Sequence, residues 1–145
     1  MENHNSQLLN AIFKNVTMAT HAIDSIRDKI ADKKLSKLLE KQNKIYEGIT
    51  AECKSLSSEI NNDLEGINVF AKMSSSASIN IKTMMNNDAD HIADMLIQGT
   101  TMGITDIIKS MGDFKSASKT IKNVATKLQH SEEEFVDSLK TFLTK

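Results

Sequence analysis

The stretch Leu9-Asn-Ala-Ile12-Phe-Lys-Asn-Val16-Thr-Met-Ala19-Thr-His-Ala-Ile23-Asp-Ser-Ile26-Arg-Asp-Lys-Ile30 decides the fold. Its apolar residues Leu9, Ile12, Val16, Ala19, Ile23, Ile26 and Ile30 return at alternating steps of three and four. That period lines one side of an α-helix and is incompatible with the two-residue period of a strand. The pattern predicts a helix over about 5–31, with Asn5 or Ser6 capping its start by accepting a backbone N–H. Working outward, Asp32 is the next capping residue. After it Leu35, Leu38, Leu39, Ile45, Tyr46, Ile49, Cys53, Leu56 and Ile60 hold the helical period to about residue 62. A connection this short between two helices, each roughly 40 Å long at about 1.5 Å per residue, makes them antiparallel.

Composition agrees. The 145 residues contain no proline, which costs about 3 kcal/mol inside a helix, and only five glycines. With 4% aromatics and eight methionines, the core is built from Ile, Leu, Val, Met and Ala, as helix-on-helix packing prefers. Asn61, Asn62, Asp63 and Gly66 mark a break. Ile67, Phe70, Met73, Ala77, Ile81 and Met84 then resume helical spacing through Ser74, Ser75, Ser76 and Ser78, so 67–85 reads as a helical crossover, with a flexible serine linker as the alternative. Asn86 or Asn87 caps a third long helix over about 88–111, with Asp88 and Asp90 in its first turn and Gly112 as its stop. Ile92, Met95, Leu96, Gly99, Met102, Gly103 and Ile107 form its inner side. The fourth helix, about 116–144, carries Ile121, Val124, Leu128, Phe135, Leu139 and Phe142. The expected fold is all-α: one domain over 1–145, an antiparallel four-helix bundle of ferritin-like type with a helical crossover between the second and third long helices.

Eighteen basic against nineteen acidic residues leave a net charge of −1, giving no global electrostatic reason for nucleic acid or an anionic membrane as partner. Lys33, Lys34, Lys37, Lys41 and Lys44 along the second helix are mixed with Glu40 and Glu47, have no aromatic platform, and read as a solvated face. No apolar run approaches the roughly 20 residues that span a bilayer, and the opening Met-Glu-Asn-His-Asn-Ser lacks the basic and apolar parts of a signal peptide. A cytoplasmic location is the expectation. The single cysteine, Cys53, sits on a seam and reads as a buried, inert thiol.

Three stretches carry a likeness to known sequences: Asn10-Ala-Ile-Phe13-Lys14-Asn15-Val-Thr-Met18, His91-Ile-Ala-Asp94-Met95-Leu-Ile-Gln98-Gly99-Thr-Thr-Met102-Gly103, and Glu132-Glu-Glu-Phe-Val-Asp-Ser-Leu139-Lys140. Together they resemble a family of short, uncharacterised bacterial proteins of clostridial type with a ferritin-like four-helix bundle, most specifically from Gln98 to Gly103. Such relatives carry a proline in the link where this chain has Asn61 to Gly66. The resemblance implies the helix layout and brings no activity with it.

A ferritin-like di-iron centre needs Glu-x-x-His on two helices, because residues three apart aim two ligands at one metal pair. No glutamate here has a histidine three places on. His21-x-x-Asp24 and Asp88-x-x-His91-x-x-Asp94 are weaker patterns. The first reads as an exposed polar pair; in the second, Asp88 is explained by the helix dipole and His91 by packing or capping. No cofactor and no catalytic residue are expected. Gly99-x-x-x-Gly103 removes two side chains from one helix face at about 1 kcal/mol each. Close approach by another helix is the structural reading, and a gap left for a ligand the functional one.

The remaining candidates are polar residues within apolar seams: Gln42, Glu132 between Leu128 and Phe135, and the seam-bordering Asn15 and Gln98. If they face inward they must bond one another, as one interior network with Tyr46 and His91. If the helices rotate, they lie at the solvent edge; periodicity leaves both open. The function expected from the sequence is a non-catalytic bundle acting by self-association, as a homo-oligomer, or by partner binding. The alternative is an atypical ferritin-like protein that binds a metal or small ligand in its polar interior.

Overall fold

The computed structural model describes residues 3–60 and 88–143, so the expected crossover at 67–85 lies outside the described residues. Among them the chain is all-helical: α1 (His4–Ile26), a 3₁₀ turn (Arg27–Lys29), α2 (Lys33–Glu59), α3 (Ala89–Asp113) and α4 (Lys119–Lys140). None of these helices is long and apolar enough to cross a membrane.

Local chemistry sets the boundaries. Helix α1 begins at His4 and is capped by Asn3 rather than by Asn5 or Ser6, because Asn3 accepts from Ser6 N at 3.3 Å. Asn5 is used elsewhere: its Oδ1 accepts from Ser118 N at 2.6 Å, while His4 Nδ1 accepts from Ser116 N at 3.1 Å and its ring leans on Phe114. The start of α1 is thereby fastened to the α3–α4 turn. Helix α1 also ends before residue 31. Its last residues tighten into the 3₁₀ turn and Ile30 is extended, which lets the chain reverse in time for Asp32 to cap α2, accepting from Leu35 N at 2.9 Å. Gly112 lies inside α3 and does not stop it; α3 gives way at Phe114, and Ser118 caps α4 by accepting from Ile121 N.

The four helices form a bundle in which α1 and α4 each touch all three others. Leu8, Leu9, Ile12, Val16, Ile23 and Ile26 of α1 join Leu35, Leu39, Tyr46, Ile49 and Cys53 of α2, with Leu128, Phe135 and Leu139 of α4, in one core. Each such side chain contributes roughly 1.5–3 kcal/mol by leaving water. On α3 the buried residues Ala89, Ile92, Ala93 and Leu96 are followed by none until Ile107. The missing stretch of apolar burial spans both Gly99 and Gly103.

Candidate functional site

Glu132 stands in the core stripe of α4 between Leu128 and Phe135 and is 1% exposed. Tyr46 of α2, equally buried, donates its O–H to Glu132 Oε2 at 3.1 Å. Asn15 of α1 donates its amide to the Gly103 carbonyl of α3 at 3.0 Å and also bonds Glu132. Gln42 is buried one turn before Tyr46, and its Nε2 has no hydrogen-bond partner. All four helices thus meet at one polar cluster. Oε1 of Glu132 has no hydrogen-bond partner.

Burial pushes the Glu132 carboxyl up to about 7, and the bonds from Tyr46 and Asn15 oppose that rise. Burial first, and the neighbouring Glu132 charge second, drive Tyr46 well above the ordinary phenol range, so it remains a neutral donor.

Gly103 is where the two arms of the cluster meet. A Cβ there would stand 3.2 Å from Asn15 Nδ2 and 3.4 Å from Glu132 Oε2. The close approach predicted for this glycine exists, and it is made by polar side chains. At Gly99 the expectation of close packing is corrected: a Cβ would meet nothing within 4 Å. A cavity of about 720 Å³ opens there between α1 and α3, with Tyr46 and Glu132 contributing from behind. Ala19 and Ala22 of α1 line it with Gly99 of α3, all of them small, while Met18, Met95 and Phe135 give it apolar walls. Met18 and Met102 reach its rim, 44% and 69% exposed, which also moves Met102 out of the inner side predicted for it. Lys14, Asp106 and Lys109 line the exposed part.

The predicted network is therefore split. Asn15, Gln42, Tyr46 and Glu132 come together, whereas His91 and Gln98 are exposed and belong elsewhere. Seven residues apart, those two share one helical stripe, and it points away from the Ala89, Ile92, Ala93 and Leu96 face of α3. The sequence also missed buried polar residues: Asn43, whose amide reaches Asp24 at 3.5 Å, and Ser131, which donates to Leu128 O at 2.9 Å.

The weaker metal patterns stay scattered. Asp24 pairs with Arg27 at 3.2 Å, and Asp88, His91 and Asp94 are all exposed. Among the described residues no group of three His, Cys, Asp or Glu side chains is placed to hold a metal ion. Cys53 is buried, and burial pushes its thiol up to about 12. Lys33, Lys34, Lys37, Lys41 and Lys44 of α2 are exposed. Compared with known proteins, the chain matches no family model, no curated protein and no solved structure.

Proposed function

We propose that this chain is a binding protein for a small organic molecule, held in the α1–α3 cavity over Gly99. The observation that carries the reading is the combination of about 720 Å³ of mostly apolar space with a buried carboxyl behind it whose Oε1 has no partner. Ligand sites are typically of this size and kind, an apolar hollow with a few converging polar groups. A glycine in the cavity wall, where Cβ has free room and alanine would form a better helix, fits a space that is kept open.

The test is a neutral solvatochromic dye such as Nile red, with Gly99→Leu as the variant that fills the cavity. Saturable dye fluorescence in the parent protein, lost in G99L with unchanged helical circular dichroism, is the expected result. Equal binding by both proteins overturns the reading.

With this goes a finer view of the fold: an antiparallel ferritin-like bundle, as in the short clostridial-type proteins that the chain resembles. Contacts support it. Asn43 with Asp24 and Glu40 with Arg27 join the start of α2 to the end of α1; Phe114 with His4 joins the end of α3 to the start of α1; Glu52 with Lys127 joins the second half of α2 to the first half of α4. In that order α2 and α3 begin at the same end of the bundle, which is the connectivity of a ferritin-like crossover.

A second reading, self-association as a homo-oligomer, is favoured by one observation: Met18, Met102 and Ile108 are exposed on α1 and α3. Sedimentation of Met102→Glu checks it. A dimer that dissociates in M102E supports pairing through this face, and a parent protein that sediments as a monomer rules it out.

A further inference from the structure

We infer that the ligand is an amphipathic primary amine, its ammonium seated on Glu132 and its apolar body lying over Gly99 between Met18, Met95 and Met102. The inference rests on the proposed small-molecule site and says which chemistry fills it.

The polar groups at the back of the cavity select the head group. Tyr46 spends its O–H on Glu132 Oε2 and Asn15 spends an amide N–H on the Gly103 carbonyl, so the polar atoms left unpartnered in the cluster are Gln42 Nε2 and Glu132 Oε1, and of these two residues only Glu132 lines the cavity. An ionised carboxylate buried without a cation is costly, and a ligand that brings both a positive charge and N–H donors removes that cost. An ammonium does so with a short charge-assisted bond. A carboxylate ligand would set like charge against like charge, and an alcohol would supply a donor without the charge. The other charged groups do not change the ranking. Lys14 on α1, with Asp106 and Lys109 on α3, line the exposed part of the cavity, where water and salt screen them; Tyr46 on α2 is neutral.

The walls select the body. Met18, Met95 and Met102 are unbranched and polarisable, and adapt to chains of different shape. With Gly99, Ala19 and Ala22 leaving the middle unfilled, an aliphatic chain or a single aromatic ring fits the space.

Three ligands of matched length decide the matter: octylamine, 1-octanol and octanoate, each titrated against bound Nile red at about pH 8, above the range in which burial holds the Glu132 proton. The expected order of affinity is amine, then alcohol, then carboxylate, with the amine ahead of the alcohol by about tenfold or more. Glu132→Gln removes the charge and keeps an acceptor for Tyr46. It is expected to bring the amine down to the affinity of the alcohol while octanol binding stays within about threefold, octanol serving as the control that the cavity is intact. An amine that binds no better than the alcohol, or an amine affinity unchanged in E132Q, overturns the inference and leaves the small-molecule site standing. If none of the three displaces the dye and the dye itself does not saturate, the site fails and the inference with it.

Discussion

Helices α3 and α4 lie side by side, are nearly equal in length, and use their inward faces in opposite ways. Helix α4 buries residues in every turn from Ile121 to Leu139, even admitting Ser131 and Glu132 to keep the stripe continuous. Helix α3 fully buries residues in its first two turns and then none from Ile97 to Asp106, where Ile97 and Ile104 are only half-buried. One helix is committed to the core, and the other holds its middle back from it. Apolar burial is the main stabilising term, so a three-turn gap in it forgoes stability. What stands in that gap is a cavity with a carboxyl at its back, and the contrast teaches where the molecule gives up packing for a site.

The largest expected effect breaks the contrast at its strongest side. Leu128 is fully buried on α4, and Leu128→Ala should cost roughly 2–5 kcal/mol through lost transfer free energy and the hole left behind. Met102 on α3, a residue of similar volume but 69% exposed, should cost no more than about 0.5 kcal/mol as Met102→Ala. Urea unfolding of both variants measures the pair. Equal losses would mean that the middle of α3 carries as much of the core as α4 does.

Next in size is the pH dependence. Glu132 is held up at about 7 against an ordinary 4.5, with burial as the leading cause. For a carboxyl raised on folding, the native state keeps a proton that the unfolded state has lost. This group's contribution is thus most favourable below about pH 4.5, falls as pH rises, and levels off above about 7. At about 1.4 kcal/mol per pH unit over that interval, the full decline is about 3 kcal/mol. Glu132→Gln should remove it, so stability measured as the difference between E132Q and the parent protein should widen in favour of E132Q from about pH 5 to 8. A constant difference across that range would show that Glu132 is ionised in both states, as a solvated surface residue would be.

The same contrast explains what could be read from the sequence. The core stripes of α1, α2 and α4 were legible because alternating steps of three and four admit no other period, and Glu132 was legible because it interrupts such a stripe between Leu128 and Phe135. Asn15, at a seam edge, turns in to the Gly103 carbonyl, whereas Gln98, also at a seam edge, and His91 face solvent. Each residue advances about 100° around a helix, so one position decides whether an edge residue faces in or out, and periodicity alone does not fix that rotation. The end of α1 and the passage of α3 through Gly112 depended on where the chain had to reverse, a tertiary demand without a local sign. The cavity was hidden for a related reason. A glycine records that a side chain is missing but not what occupies its place, and Gly99 and Gly103 look alike in sequence.

Those two glycines give the smallest expected effects and the sharpest test of the contrast, because the same substitution meets opposite surroundings four residues apart. At Gly99 a Cβ has nothing within 4 Å, so Gly99→Ala should gain about 1 kcal/mol from helix propensity with no opposing contact. At Gly103 the helix gains the same amount, but the new methyl stands 3.2 Å from Asn15 Nδ2. The amide must move, and its bond to the Gly103 carbonyl, worth about 0.5–1.5 kcal/mol, is weakened as it does. The two terms oppose each other, so Gly103→Ala should leave the urea midpoint near or below that of the parent protein while Gly99→Ala raises it. The order of the two midpoints therefore reports the crowding at Gly103 that Gly99 lacks. If both alanines stabilise alike, Asn15 is not held against α3 and the polar cluster is looser than described. If neither stabilises, the space over Gly99 is filled, and the gap in the inward face of α3 is not an opening.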